Sequence, residues 1–326
     1  MGFEETFRGV GFFAVRLTSF LSNALIFGLV PLLVLVLRPA FRGLGDEAWE
    51  TGRRRLARRL EDLVQSALVA SAIATLVGLL LQAVLISRST RGEVGTDTLS
   101  AIASTSFGQF NLLRFPLLAG LAVLLVKRLM QASLAGAGDD RPRPSRSWWW
   151  GWGVLATALL ATSSLSGHAR VAKPLGVSIV NDVVHLAAGA TWLTGIVVLA
   201  IMLPSAWAGR NDRDRLQLLT PVVVRFSKVA AVSIAVVAVT GVVNSFLDIA
   251  EFNDLIDTGY GFTLTLKLIV FVGVLALGGV NHFYVRRKLQ RAEADSTRIS
   301  LLFRKTIAVE LSLGLLIIAL TGALTG

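Results

Sequence analysis

Residues 177–203 read VSIVNDVVHLAAGATWLTGIVVLAIML, an apolar run whose only charged residue is Asp182. A helix of about 20 apolar residues crosses a hydrocarbon core of about 30 Å. The run is too long, and alternates too little, for a barrel strand. It therefore predicts a transmembrane helix with a few polar groups near its start. Seven more runs of this kind follow the same rule, at 10–37, 63–86, 110–133, 148–168, 222–247, 262–285 and 304–324. The first exceeds the apolar region of a signal peptide and lacks a small-x-small cleavage signal, so it is expected to stay as a span. The expected fold is an all-α polytopic membrane bundle of eight transmembrane helices.

Composition agrees. Hydrophobic residues make up 54% of the 326 and charged residues 16%, with mean hydropathy +0.67. Soluble domains carry roughly a quarter charged residues, so disorder and ordinary soluble enzymes are excluded. The net charge is +11, but the basic residues fall in bursts between apolar runs. That is the pattern of positive-inside orientation and of attraction to anionic headgroups, not of a nucleic-acid module. There is no cysteine, hence no disulfide, thiolate or iron–sulfur site. Methionine occurs only at Met1, Met130 and Met202, which leaves a thioether path for a soft metal poorly supplied.

Lysine and arginine give the orientation. Of the 32, 24 lie in or beside the connections after spans one, three, five and seven, and 8 lie on the other side. By the positive-inside rule both termini are extracytoplasmic. The Trp148–Trp152 cluster is expected at the cytoplasmic headgroup level as an aromatic belt. The Gly-, Pro-, Asp- and Arg-rich segment 136–147 reads as a cytoplasmic connector. It divides an N-terminal membrane half at 1–135, holding spans one to three, from a C-terminal part at 148–326, holding spans four to eight.

A short internal repeat crosses this division. Thr105-x-Phe107-Gly108 is followed by Arg114, and Thr258-x-Tyr260-Gly261 by Lys267, at matching offsets. Each copy opens a span from the outer side, which points to two parallel four-helix repeats. The local reading is a threonine cap, a glycine for a tight turn, a ring in the aromatic belt and a base that snorkels.

Ionisable groups within spans are costly, so each marks a site by default. Asp182, His185, Gly189 and Trp192 form one helical stripe. Neutral imidazole offers a lone pair to a metal, and a carboxylate one turn away is a second ligand or orients the ring. His168 sits at the outer end of span four, joined to span five by a short connection. Short connections make antiparallel neighbours, so two imidazoles meet near one leaflet, a minimum for Cu(II). Asp182, His185 and His168 are the expected metal ligands. Thr240, Asn244 and Asp248 share a face of span six beneath an acidic loop with Glu251, Asp254 and Asp257. Lys267 needs an anion, with Asp182, Asp248 or Asp257 as choices. On the inner side, Glu310 has Arg225, Lys228 or Asn281 as choices, and His282 is expected to be interfacial.

At these residues the sequence resembles the copper resistance protein D (CopD) family. The resemblance rests on Asp182-x-x-His185 with Trp192-x-x-Gly195, Arg225-Phe226-Ser227, Thr240-Gly241, Thr258-x-Tyr260-Gly261 with Lys267, and Asn281. Gly167-His168, Thr105-x-Phe107-Gly108, Arg114 and Glu310 extend it, with the most family-like region at about 177–288. The family's usual Trp-x-Gly-Gly here reads Trp192-Leu193-Thr194-Gly195. The resemblance implies a bacterial inner-membrane protein of copper uptake or homeostasis, with copper as Cu(I) or Cu(II), working with a periplasmic copper-binding protein of the CopC type. It makes His168 and His185 the positions to test.

The functional expectation is copper transport, with the metal captured at the outer leaflet. A b-type haem electron carrier is an alternative: two histidines on facing helices serve as axial ligands, and Arg114 or Lys267 pairs with propionates. A non-transporting assembly partner is another. No Walker loop, HExxH or Ser-His-Asp context is present, so neither ATP coupling nor enzyme chemistry is expected.

Overall fold

A computed structural model describes residues 3–41, 47–89, 95–126, 144–166, 175–202, 212–248, 258–285 and 296–324, all of them helical apart from short turns at their ends. The helices are α1 (Phe3–Pro31), α2 (Glu47–Ser89), α3 (Thr96–Ser104), α4 (Ser106–Val126), α5 (Arg146–Leu165), α6 (Leu175–Val197), α7 (Asp212–Asp248), α8 (Gly259–Val280) and α9 (Ser296–Leu324). Seven of them, all but α3 and α5, are long and apolar enough to cross a membrane. The eighth expected run corresponds to α5. It has 20 residues, but its tryptophans, serines and threonines dilute its hydropathy.

Alternate helices run up and down between two ends. Asn23 of α1 accepts a hydrogen bond from Ser71 of α2. Trp148 at the start of α5 reaches the Leu124 carbonyl late in α4, whereas Arg114 early in α4 reaches Thr162 late in α5. So α5 runs the full distance beside α4. Gly322 near the end of α9 lies against Phe13 and Leu17 of α1, which puts the start of α1 and the end of α9 at one end of the bundle.

Helices α1 and α6 form the centre. Their apolar windows are 56% and 50% buried, against 11% for α8. Small residues set their crossing: a Cβ on Gly28 would collide with Thr194 and the Ala190 carbonyl, and Thr194 donates to the Ala24 carbonyl at 3.0 Å. This contact explains the threonine in Trp192-Leu193-Thr194-Gly195, since Gly28 leaves room for it. Gly195 in turn lies under the Phe226 ring, which ties the Arg225-Phe226-Ser227 motif to α6.

Three helices widen into π-helix at the same, basic end: Leu32–Leu37 after α1, Val198–Met202 after α6 and Asn281–Val285 after α8. In α1 the cause is local. Pro31 has no N–H to donate back along the helix, and the ladder resumes with i→i−5 bonds such as Arg38 N–H to the Leu33 carbonyl.

Two expectations change here. The basic connection before span two is largely helix: α2 has 43 residues, about 65 Å long and twice the hydrocarbon thickness. Arg54 pairs with Glu50 one turn back at 2.9 Å. The Trp148–Trp152 cluster is only partly a belt. Trp150 is exposed, but Trp148 and Trp152 are buried, their indoles donating to the Leu124 and Ile26 carbonyls. Arg38 stacks over Trp149. Most of the connector at 136–147 lies outside the described residues, and its last part, Ser145, caps α5 by accepting from the Trp148 N–H.

Candidate functional site

The polar residues of α5, α6 and α7 meet at the end of the bundle opposite the arginine-rich helix extensions. His185 Nδ1 lies 2.9 Å from Thr240 Oγ1. The threonine hydroxyl has one proton, and at 2.6 Å that proton goes to the Val236 carbonyl. The oxygen therefore accepts from the ring, which places the imidazole proton on Nδ1. With the proton on Nδ1, Nε2 of the neutral ring keeps its lone pair; the ring also meets the Val237 carbonyl. Gly241 lies beside the ring, where an added Cβ would sit 3.4 Å from Cε1. Thr240-Gly241 is thus the cradle of His185, and threonine, rather than Asp182, orients the imidazole.

Asp182 belongs to the next part of the same network. Its carboxylate accepts from Ser164 of α5 at 2.6 Å and, more loosely, from Asn244 of α7 at 3.4 Å. Asn181 uses both of its amide protons on α7, to the Thr240 carbonyl at 2.9 Å and to Asn244 at 2.7 Å. Polar groups cut off from water need partners, and here three helices supply them to one another. An open groove of about 420 Å³ runs over Asn181 and Thr240, walled by Val177, Val180 and Val184. Lys267 of α8 is close enough to His185 to act on it electrostatically.

Arg114 departs from its expected role. It does not snorkel: it is 6% exposed, and it donates from Nε to Thr162 at 2.9 Å and from a terminal nitrogen to Ser163 at 3.2 Å. Because Ser164 holds Asp182, three consecutive residues of α5 carry a chain of hydrogen bonds from α4 to α6. The turn before Arg114 does act as expected. Thr105 accepts from the Gly108 N–H at 3.0 Å, and Thr258 from the Gly261 N–H at 2.9 Å. A Cβ at Gly108 would strike the Ile102 carbonyl.

Trp192 continues the stripe inward and is buried against Gly314 of α9. At the far end a second cluster forms. His282 Nδ1 bonds Ser227 of α7 at 2.7 Å, and Asn281 accepts from Thr306 of α9 at 2.6 Å. Glu310 lies beside Asn281, while Arg225 and Lys228 are exposed; of the three expected partners, Asn281 is the one it meets. His185 and His282 bond residues about 20 Å apart along α7, which separates these two imidazoles.

His168, Glu251, Asp254 and Asp257 lie outside the described residues, as does the Asp248 side chain. Among the described residues no group of three or more His, Cys, Asp or Glu side chains converges. The network residues Ser164, Asn181 and Thr240 did not figure as ligands in the sequence; Thr240 lies within a stretch that carries the resemblance, and Asn181 directly precedes one.

Comparison with known proteins follows the same lines. The family described as Copper resistance protein D-like, N-terminal domain, matches residues 7–177. The family Copper resistance protein D matches residues 220–324. The intervening segment, with Asp182 and His185, falls outside both matches. Copper transport protein CutJ of Bacillus subtilis (strain 168) is 33% identical over 139 residues, which are 43% of this chain and 25% of that protein. Copper resistance protein D of Pseudomonas syringae pv. tomato is 25% identical over 142 residues, 43% of this chain and 45% of that protein. The match thus spans less than half the length of either relative. No solved structure matches the chain.

Proposed function

The chain belongs to the copper resistance protein D family, and from that premise we propose that it takes up copper at the outer face of a bacterial inner membrane through His185 and passes it inward. One observation carries the reading. The ring is held at Nδ1 by Thr240, and with the proton on that nitrogen Nε2 keeps a lone pair, a borderline donor suited to copper.

Around that nitrogen the chemistry is of the right kind. Asp182 brings a carboxylate one turn away, tied to Ser164 and Asn244. His168, at the outer end of the neighbouring span, completes the ligand set in this reading. Lys267 is close enough to act on His185 electrostatically, and in this reading the site must let the ion leave as readily as it arrives. With α5 as an eighth span, both termini face outward and the arginine-rich helix ends face the cytoplasm. A periplasmic copper-binding protein of the CopC type is the natural donor to such a site.

Cells expressing wild type, His185→Ala and the double variant with His168→Ala test the proposal through their copper content. Both variants are expected to fall to the level of cells without the protein, at unchanged membrane abundance. Copper accumulation equal to wild type in the double variant rejects it. A haem carrier instead predicts a Soret band in the purified protein, lost in His185→Ala.

A further inference from the structure

Glu310 lies about two turns into the apolar part of α9, 4% exposed, and forms no ion pair among the described residues. Its neighbour is Asn281, at the point where α8 widens into π-helix. The space for the carboxyl comes from Gly278, whose missing Cβ would sit 3.5 Å from Oε1. Asn281 has its oxygen occupied by the Thr306 hydroxyl at 2.6 Å. What it turns toward Glu310 is therefore its amide nitrogen, which is buried without a hydrogen bond that meets ordinary geometry.

An ionised carboxylate in such a place costs several kcal/mol unless a counter-charge offsets it. Among the described residues, charged and titratable groups on the surrounding elements do not supply one; Lys267 of α8 lies by His185 at the other end. On α9, Arg304 and Lys305 are exposed, and so are Arg225 and Lys228 on α7. His282 is held by Ser227, Arg38 lies over Trp149, and Arg16 of α1 over Phe12. On α6, Asp182 and His185 belong to the other end. A metal ion fits poorly as the missing partner, because the nearest polar group presents N–H and cannot ligate. A proton fits. The neutral carboxyl needs no counter-ion, and its carbonyl oxygen accepts from the Asn281 amide after a small shift.

We infer that Glu310 is a proton-binding carboxyl in the α8–α9 seam, neutral while the seam is closed and losing its proton to water when the seam opens. The O–H bond of the carboxyl breaks and re-forms in each exchange, and nothing is oxidised or reduced. The inference stands independently of the copper site and gives the bundle a second exchangeable ion.

Infrared difference spectra between acidic and alkaline buffer, on the full chain in lipid vesicles, test it without copper. Wild type is expected to show the carbonyl stretch of a protonated carboxyl that disappears at alkaline pH. Glu310→Gln, which keeps shape and acceptor, is expected to lack it, and Glu310→Asp to show it at a shifted frequency. Dicyclohexylcarbodiimide, which attacks protonated carboxyls in apolar surroundings, is expected to modify Glu310 and not the glutamine variant. A wild-type spectrum that both substitutions leave unchanged overturns the inference. A Glu310 band that persists unaltered across the pH range overturns the exchange.

Discussion

Thr240 decides what His185 can do. By passing its own proton to the Val236 carbonyl, the hydroxyl accepts the imidazole N–H and fixes the tautomer with Nε2 open. Partners of this kind are worth roughly 10–100-fold in metal affinity. Thr240→Val is therefore expected to weaken copper binding by about tenfold or more, whereas Thr240→Ser holds it near wild type; equilibrium dialysis of the purified variants measures both. Equal affinity for the valine variant would show that the ring needs no such support. Periodicity in the sequence put Asp182 and His185 on one face of a helix, and that much is visible without coordinates. It could not say which neighbour that face meets, because contacts such as His185 to Thr240 depend on helix order and rotation. For the same reason the burial of Arg114 was not legible: a base near a span end reads as snorkelling until the hydroxyls of Thr162 and Ser163 are seen beside it.

Helices α1, α6 and α7 are drawn together by glycine. Gly195 has no space for a side chain under the Phe226 ring, and Gly28 has none against Thr194. Overpacking of a filled interior typically costs about 1–3 kcal/mol, so Gly195→Ala is expected to destabilise by that amount. Thermal unfolding in detergent reads the loss, and Phe226→Leu in the same chain is expected to restore part of it. An alanine variant as stable as wild type would mean that α6 and α7 are less tightly apposed than described. Helix existence was legible throughout, since every apolar run of span length forms a helix over its described residues. Helix length was less so. The arginine-rich stretch before span two reads as a loop by its charge, yet residues such as Leu56, Ala57 and Leu60 are buried and carry the helix on beyond the apolar window.

Among the described residues, two polar clusters sit toward opposite ends of the bundle, apart from the buried Asn23–Ser71 pair and Ser233 of α7. The first joins Arg114, Ser164, Asp182, Asn181, Asn244, Thr240 and His185. The second joins Ser227, His282, Asn281, Thr306 and Glu310. Trp192 against Gly314 lies between them, and helix rise puts His185 and Glu310 about 16 Å apart along the bundle. An ion crossing this distance meets no continuous row of ligands, so passage requires the helices to shift. The proposed orientation follows from charge alone and is open to direct test, because the chain has no cysteine of its own. Asp97→Cys is expected to react with a membrane-impermeant maleimide on intact spheroplasts, and Arg58→Cys only after lysis; the reverse pattern would invert the topology. The central claim concerns one nitrogen, and the most direct measurement is equilibrium dialysis of purified wild type and His185→Ala against cupric ion. Wild type is predicted to take up copper that the variant does not, and equal uptake by the two would contradict the account.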